Sequence, residues 1–465
     1  MKHSIKFNLT GGVILLCLAM CLTSCEGALD DVLGEWSRPT PGNNTNNTPT
    51  ADHSNQYLVY SYSTALDSVW TNIEGATEWN ISTGDVAAGT YVVSSDFTCT
   101  GALVLKGDVN LIIKDGAKLT VNDGISYDPL ATGGALNIYG QGISSSMGQL
   151  IVKNNTPIDI GGGTTEATAI YPKSLEIHGC LVKATGDTGA TPADIGGKGM
   201  EGGTSLKIFN GKVVALGTGH GISTANGDLF IYGGDIDAQS SSTTGASAIY
   251  AYGDNLTIAG GIVKAAPTSA AANGVTGISA DNAGMTSKIT ISGGKVTASG
   301  MEGIGTWVVN ITGGIVVASN VGGGNPAISG YTSITISGTE TQVTATGANG
   351  ADSDNTTIPG GDGGIGINSL TIQIDGGTVI ATGGNGGNGY TGGGDGGNGG
   401  DGINCTDIAV DASASVTATG GNGGNVKTGQ PITAYTSMAG KGLNTANPAT
   451  GTITATDGIA GTASL

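Results

Sequence analysis

The chain has 465 residues, of which 86 are Gly, 11% are charged and 5% are aromatic. Gly follows no collagen period, Pro numbers only 12, and 38% of residues are still hydrophobic, which excludes a triple helix and a wholly disordered chain and leaves a repetitive β architecture. The formal charge of 17 − 36 = −19 repels phosphate backbones, and the single arginine is Arg38, so nucleic acid is not an expected partner and the main body has no guanidinium for chemistry.

Lys2 and Lys6 precede the apolar run 13–20, the layout of a secretory signal over residues 1–24 that is too short to span a bilayer. It ends in Leu22-Thr23-Ser24-Cys25, which resembles the lipobox of bacterial lipoproteins. That resemblance implies acylation of Cys25 and a membrane partner through the lipid anchor. Removal of residues 1–24 leaves a charge of 15 − 36 = −21. Glu26, Asp30 and Asp31 look like the acidic tract of Bacteroides-type lipoproteins displayed on the outer membrane at the cell surface. Residues 25–54, with Pro39, Pro41 and Pro49 among Asn and Thr, have no apolar period and form the expected flexible tether.

Residues 55–100 hold Trp70, Trp79 and Phe97, do not follow the repeat described below, and are the expected N-terminal β cap. The span 101–465 is the expected solenoid, with its first coil at Leu103 to Val121. Its repeated unit reads Ile258-Ala259-Gly260-Gly261-Ile262-Val263-Lys264-Ala265, and again from Ile291 and Ile311. Period-two runs broken by a Gly-Gly pair are two strands, a and b, joined by a sharp corner.

A third short strand, c, is anchored by Ile170, Ile195, Ile222, Ile249, Ile278, Ile304, Ile328, Ile367, Ile403 and Leu443, at intervals of 24 to 40 residues. Three short strands per period predict an all-β, parallel β-helix of about eleven coils, roughly 50 Å long at ~4.8 Å per coil. The rule for parallel crossovers makes it right-handed. Leu136, Ile138, Leu175, Ile177, Leu206, Ile208, Leu229, Ile231, Leu256, Ile258, Ile289 and Ile291 should point inward from strand a, and Val182, Val213, Ile236, Val263, Val296 and Val316 from strand b. Cys180 and Cys405 fall about seven coils apart, roughly 34 Å, too far for a disulfide. With Cys99 they are expected to be buried small hydrophobes.

The motifs Gly89-Thr90-Tyr91-Val92-Val93, the stretch 111–121, Leu136-Asn137-Ile138-Tyr139-Gly140-Gln141-Gly142, Asp194-Ile195-Gly196-Gly197 and the Gly-Gly-x-Val-x-Ala corners resemble a family of gut-bacterial surface lipoproteins with a carbohydrate-binding, right-handed parallel β-helix domain. The resemblance covers roughly residues 86–465. It implies a polysaccharide partner bound at the cell surface, in some members an acidic glycan held with calcium, and it supplies no catalytic motif.

The residue after the second inward position of strand a forms an outward column: Lys114, Tyr139, His178, Phe209, Tyr232, Ala259 and Ser292. Four ring-bearing residues at ~4.8 Å spacing can stack on the C–H faces of sugars, and Phe230 broadens the platform. The same column can also be a stacking ladder covered by a loop or the cap, so exposure favours ligand binding and burial favours a structural spacer. Tyr250 and Tyr252, outward from strand c, form a second and smaller candidate.

Enlarged Gly-rich loops at 347–366, 383–402 and 420–442 carry Asp352, Asp354, Asp362, Asp395 and Asp401 as possible calcium ligands, without EF-hand or nonapeptide spacing; no metal ligand is assigned. Asp235 and Asp237 have the spacing of a glycosidase pair but fall beside Lys212 and Lys264 of neighbouring coils, so they read as paired charges. No residue is assigned a catalytic role. The expected function is non-catalytic polysaccharide binding by a monomeric surface lipoprotein with no cofactor. The alternatives are a structural adhesin or spacer, and a polysaccharide lyase or hydrolase.

Overall fold

The computed structural model describes residues 53–464 apart from 143–145, 155, 157, 160–164, 187–195, 244, 269–273, 355–357, 391–394, 428–436 and 462. The signal segment, Cys25, nearly all of the tether, and Ile195 lie outside the described residues. Among the described residues there is no helix, and the strands pair in parallel into three long ladders. Strand a stacks Ile208, Ile231, Ile258, Ile291, Ile311, Ile336 and Ile374 rung on rung. Strand b stacks Val213, Ile236, Val263, Val296, Val316, Val343 and Val379. Strand c stacks Ile222, Ile249, Ile278, Ile304, Ile328, Ile367 and Ile403. The result is a parallel β-solenoid, consistent with a β-helix.

Period-two patterning produces this because every second residue of each strand faces the axis. All the inward positions expected on strands a and b are buried, and each buried Ile, Leu or Val contributes about 1.5–3 kcal/mol. β-branched residues suit these narrow, pleated walls because their side chains are stiff and pack against like neighbours. At the a-to-b corner the second Gly is left-handed, with φ of +93° at Gly234, +85° at Gly261 and +81° at Gly294. A side chain at Gly261 would also strike the Gly234 carbonyl of the preceding coil, so conformation and space both select Gly.

Two sequence expectations shift. The rung of strand c that pairs with Ile170 and Ile222 is Met200, not Ile195. The parallel ladders also begin earlier than residue 101: Gly84–Val86, Gly89–Val93 and Phe97–Cys99 pair with Leu103–Leu105, Val109–Ile113 and Lys118–Val121. The antiparallel part of the N-terminal region is the hairpin of β1 (Gln56–Tyr62) and β2 (Leu66–Asn72). Cys99, Cys180 and Cys405 are buried free thiols, and burial pushes Cys180 up to about 12.

The Gly-rich loops pack as a second kind of regular structure. The N–H groups of Gly347, Gly350 and Ser353 donate to the carbonyls of Thr382, Asn385 and Asn388, and those of Gly383, Gly386 and Gly389 donate to Thr419, Asn422 and Asn425. Bonding at every third residue is the period of the polyproline II helix. A Cβ at Gly384 or Gly387 would collide with the carbonyl of Ala348 or Ala351, so these glycines are required for backbone-to-backbone packing.

Side-chain amides and carboxylates continue the order from coil to coil. Asn349 accepts from the N–H of Asn385, Asn385 from Asn422, and Asn422 from Ile459, at 2.9, 2.8 and 2.7 Å. Asp352, Asp362 and Asp401 accept the N–H groups of Asn388, Asn398 and Lys441 at 2.7, 2.6 and 2.7 Å. Three of the five aspartates considered for calcium therefore serve the backbone of the next coil.

Candidate functional site

The outward column of strand a is continuous. Tyr139 and His178 stack with ring centroids 4.7 Å apart, His178 and Phe209 at 4.5 Å, and Phe209 and Tyr232 at 5.0 Å. Each ring follows an inward Ile, so the alternation of strand a turns it outward.

The face it builds is covered by the hairpin. Tyr57 meets Tyr139 edge-on at 4.9 Å, and Tyr62 stacks on Tyr232 at 4.4 Å. Leu58 and Tyr60 pack with Phe209 in a separate apolar cluster. The N–H of Tyr60 donates to Nδ1 of His178 at 3.0 Å, while Nε2 of His178 faces Glu176 at 3.3 Å. The entry to β1 is gripped by Gln141, whose Nε2 lies within 3.0 Å of the carbonyl oxygens of His53, Ser54 and Gln56.

His178 is 3% exposed and Phe209 7%, while Tyr139 and Tyr232 are half-buried. Rings of the hairpin therefore lie over the strand-a column, the covered one of the two arrangements that the sequence left open. Burial pushes the Tyr139 phenol up to about 12. The hydrogen bond from His178, with further support from Lys207 at 2.8 Å, holds Glu176 down at about 2.

On strand c, Tyr250 lies flat against His220, with centroids 4.6 Å apart and planes 6° apart. His220 accepts the N–H of Ser247 at 3.0 Å, and burial, with Lys198 nearby, pushes it down to about 4. Burial raises Tyr250 to about 12. Tyr250 is thus half-enclosed, whereas Tyr252 is 44% exposed.

Phe230 and Tyr252 meet in an open groove of about 500 Å³ together with Thr204, Ser205, Asn226, Asp228 and Asp254. Its carboxylates are fixed in place. Asp228 accepts the N–H and the side-chain amide of Asn255 at 2.9 and 3.1 Å, and Asp254 accepts the Asn282 amide at 2.6 Å. Rings beside oriented carboxylates, hydroxyls and an amide suit a ligand with apolar faces and many hydroxyl groups. Of the seven ring residues considered from sequence, this groove brings together Phe230 and Tyr252.

Sequence reasoning missed a neighbouring group on strand c. The rings of Trp307 and Tyr331 lie 5.3 Å apart, and Tyr331 donates its hydroxyl to the Glu302 carboxylate. Desolvation raises Glu302 to about 7. The carboxylate sits over Gly305, where any Cβ would collide with it. The signal was present in the sequence: Tyr252, Trp307 and Tyr331 each stand three residues past a strand-c anchor, Ile249, Ile304 and Ile328.

No protein-family model, curated protein or solved structure matches this chain. Among the described residues, no group of three or more His, Cys, Asp or Glu side chains is placed to hold a metal ion.

Proposed function

We propose that the protein is a cell-surface lipoprotein, anchored through Cys25, that binds polysaccharide without cutting it, in the groove between Phe230 and Tyr252. The observation that carries this reading is the pairing of two accessible rings with oriented polar groups in one open groove on an otherwise regular solenoid. The strand-b carboxylates do not suggest hydrolysis: Asp235 pairs with Lys212 at 3.6 Å, and Asp237 accepts the Gln239 amide at 3.0 Å. The right-handed coil sense belongs to the same reading.

The test is affinity electrophoresis of the intact chain in gels containing neutral polysaccharides. Retardation by at least one gel, abolished by Phe230→Ala with Tyr252→Ala and kept in Tyr139→Ala, supports the groove. Retardation lost only with Tyr139→Ala returns the site to strand a. For the anchor, Cys25→Ser should abolish incorporation of labelled palmitate in cells.

The structural-spacer reading has its own support. The hairpin covers the strand-a rings, and the glycine layers build a dense backbone-bonded body. Absence of retardation in every gel favours that alternative.

A further inference from the structure

The outer end of strand c carries one residue per coil at the same place: Tyr252, Asp281, Trp307, Tyr331 and Leu370. Tyr252 and Asp281 are direct register partners, and the next rungs run in step through Ser279 with Gly305 and Thr306 with Gly330. The register then shifts between Thr306 and Val308 and again between Gly330 and Ser333, so that Trp307 and Tyr331 stand at these irregularities with their rings 5.3 Å apart. Tyr331 and Leu370 each follow the paired Gly330 and Ser369. Tyr331 is 49% and Leu370 58% exposed, and Asp281 is exposed between the rings. The first of these residues, Tyr252, is also a wall of the groove.

We propose that this strip is a continuation of the groove, along which one extended, uncharged polysaccharide chain lies parallel to the solenoid axis. The proposal rests on the reading of the groove as a glycan site and adds the direction, length and charge class of the ligand. Four steps between coils give a strip of about 19 Å at ~4.8 Å each. That step is close to the length of one pyranose unit in an extended chain, so the strip accommodates about four units beyond the groove. Tyr252, Trp307, Tyr331 and Leu370 offer apolar surface for C–H faces, and Asp281 and Glu302 offer oxygens between them for hydroxyl groups.

The charge pattern selects against anions. Asp228 and Asp254 line the groove, Asp281 is exposed on the strip, and the whole chain is strongly acidic. A uronate or sulfated chain would meet like charge, whereas hydroxyl donors of an uncharged chain meet acceptors. Glu302 accepts the Tyr331 hydroxyl, and its carboxylate lies over Gly305.

The experiment is a calorimetric titration of the intact chain with β-1,4-linked gluco-, xylo- and manno-oligosaccharides of two to six units, and with oligogalacturonides of equal length with and without calcium. The expected result is affinity for an uncharged series that rises with each unit up to five or six. Trp307→Ala and Tyr331→Ala should each lower affinity for the hexamer about tenfold and leave the dimer unchanged. Leu370→Ser, at an exposed position where folding is not at stake, should weaken only the longest chains.

Dimer binding that depends on Tyr252, with no gain from length and no effect of Trp307→Ala, overturns the strip and leaves the groove standing. Tighter binding of oligogalacturonides, with or without calcium, overturns the charge assignment. No binding of any series overturns both readings.

Discussion

The backbone N–H of Tyr60 donates to Nδ1 of His178 at 3.0 Å, across 118 positions of sequence, and seats the N-terminal hairpin on the ring column of strand a. That bond requires Nδ1 to be an acceptor, so Nε2 carries the proton and faces Glu176. His178→Ala removes the bond and leaves space under β1. Amide exchange over Gln56–Tyr62 is expected to speed up about tenfold, the loss of about 1 kcal/mol of local stability, while strand-a amides of the interior stay protected. Exchange mass spectrometry on both proteins checks this, and uniform acceleration along the chain would show that the hairpin is not a separate unit.

Glu176 and His220 both make the fold sensitive to acid. Glu176 is held at about 2 against an ordinary 4.5, so its contribution is full above pH 4.5 and is lost as pH falls toward 2. His220 is pushed from 6.5 to about 4, so its contribution is full above pH 6.5 and declines as pH falls through 4. Denaturant midpoints measured from pH 7 to 2 should fall in both windows. Glu176→Gln should flatten the lower one and His220→Phe the upper one.

Glu302 acts in the opposite sense. Its carboxyl is raised from 4.5 to about 7, so the folded state binds the proton more tightly than the unfolded state. Stability from this group is greatest below pH 4.5 and is lost as pH rises through 7. Glu302→Gln should remove that slope and raise the midpoint above pH 7. An unchanged slope would mean that the carboxylate is solvated as in the unfolded chain.

The glycine layers should depend on the absence of Cβ atoms and not on metal. Gly387→Ala drives a methyl into the Ala351 carbonyl and should cost about 1–3 kcal/mol, whereas Gly75→Ala meets no atom within 4 Å and bears only the strain of its φ of +71°. Since Asp352, Asp362 and Asp401 already accept backbone N–H groups, adding calcium or a chelator should leave the melting temperature unchanged. A calcium-dependent rise would relocate those carboxylates to an ion.

Much of this was legible in the sequence. The inward Leu, Ile and Val of strands a and b follow from period-two patterning, and the order Tyr139, His178, Phe209, Tyr232 follows from the same alternation. Whether those rings were open or covered was left undecided by the sequence, because the cover depends on a hairpin outside the repeat docking on residues far along the chain. The strand-c rung between Ile170 and Ile222 is Met200, an apolar thioether that a search for branched anchors passes over. The strip through Trp307 and Tyr331 could have been found by counting three residues past each strand-c anchor. The glycine layers are not visible to hydrophobic periodicity, since their order lies in backbone bonds at every third residue.

Radical footprinting of the intact protein, with and without a polysaccharide that retards it, tests glycan binding in the groove most directly. The expected result is protection of Phe230 and Tyr252 on binding, with His178 and Phe209 unreactive in both states beneath the hairpin. Protection confined to Tyr139 and Tyr232, or reactivity of Tyr252 that does not change when polysaccharide is bound, would contradict it.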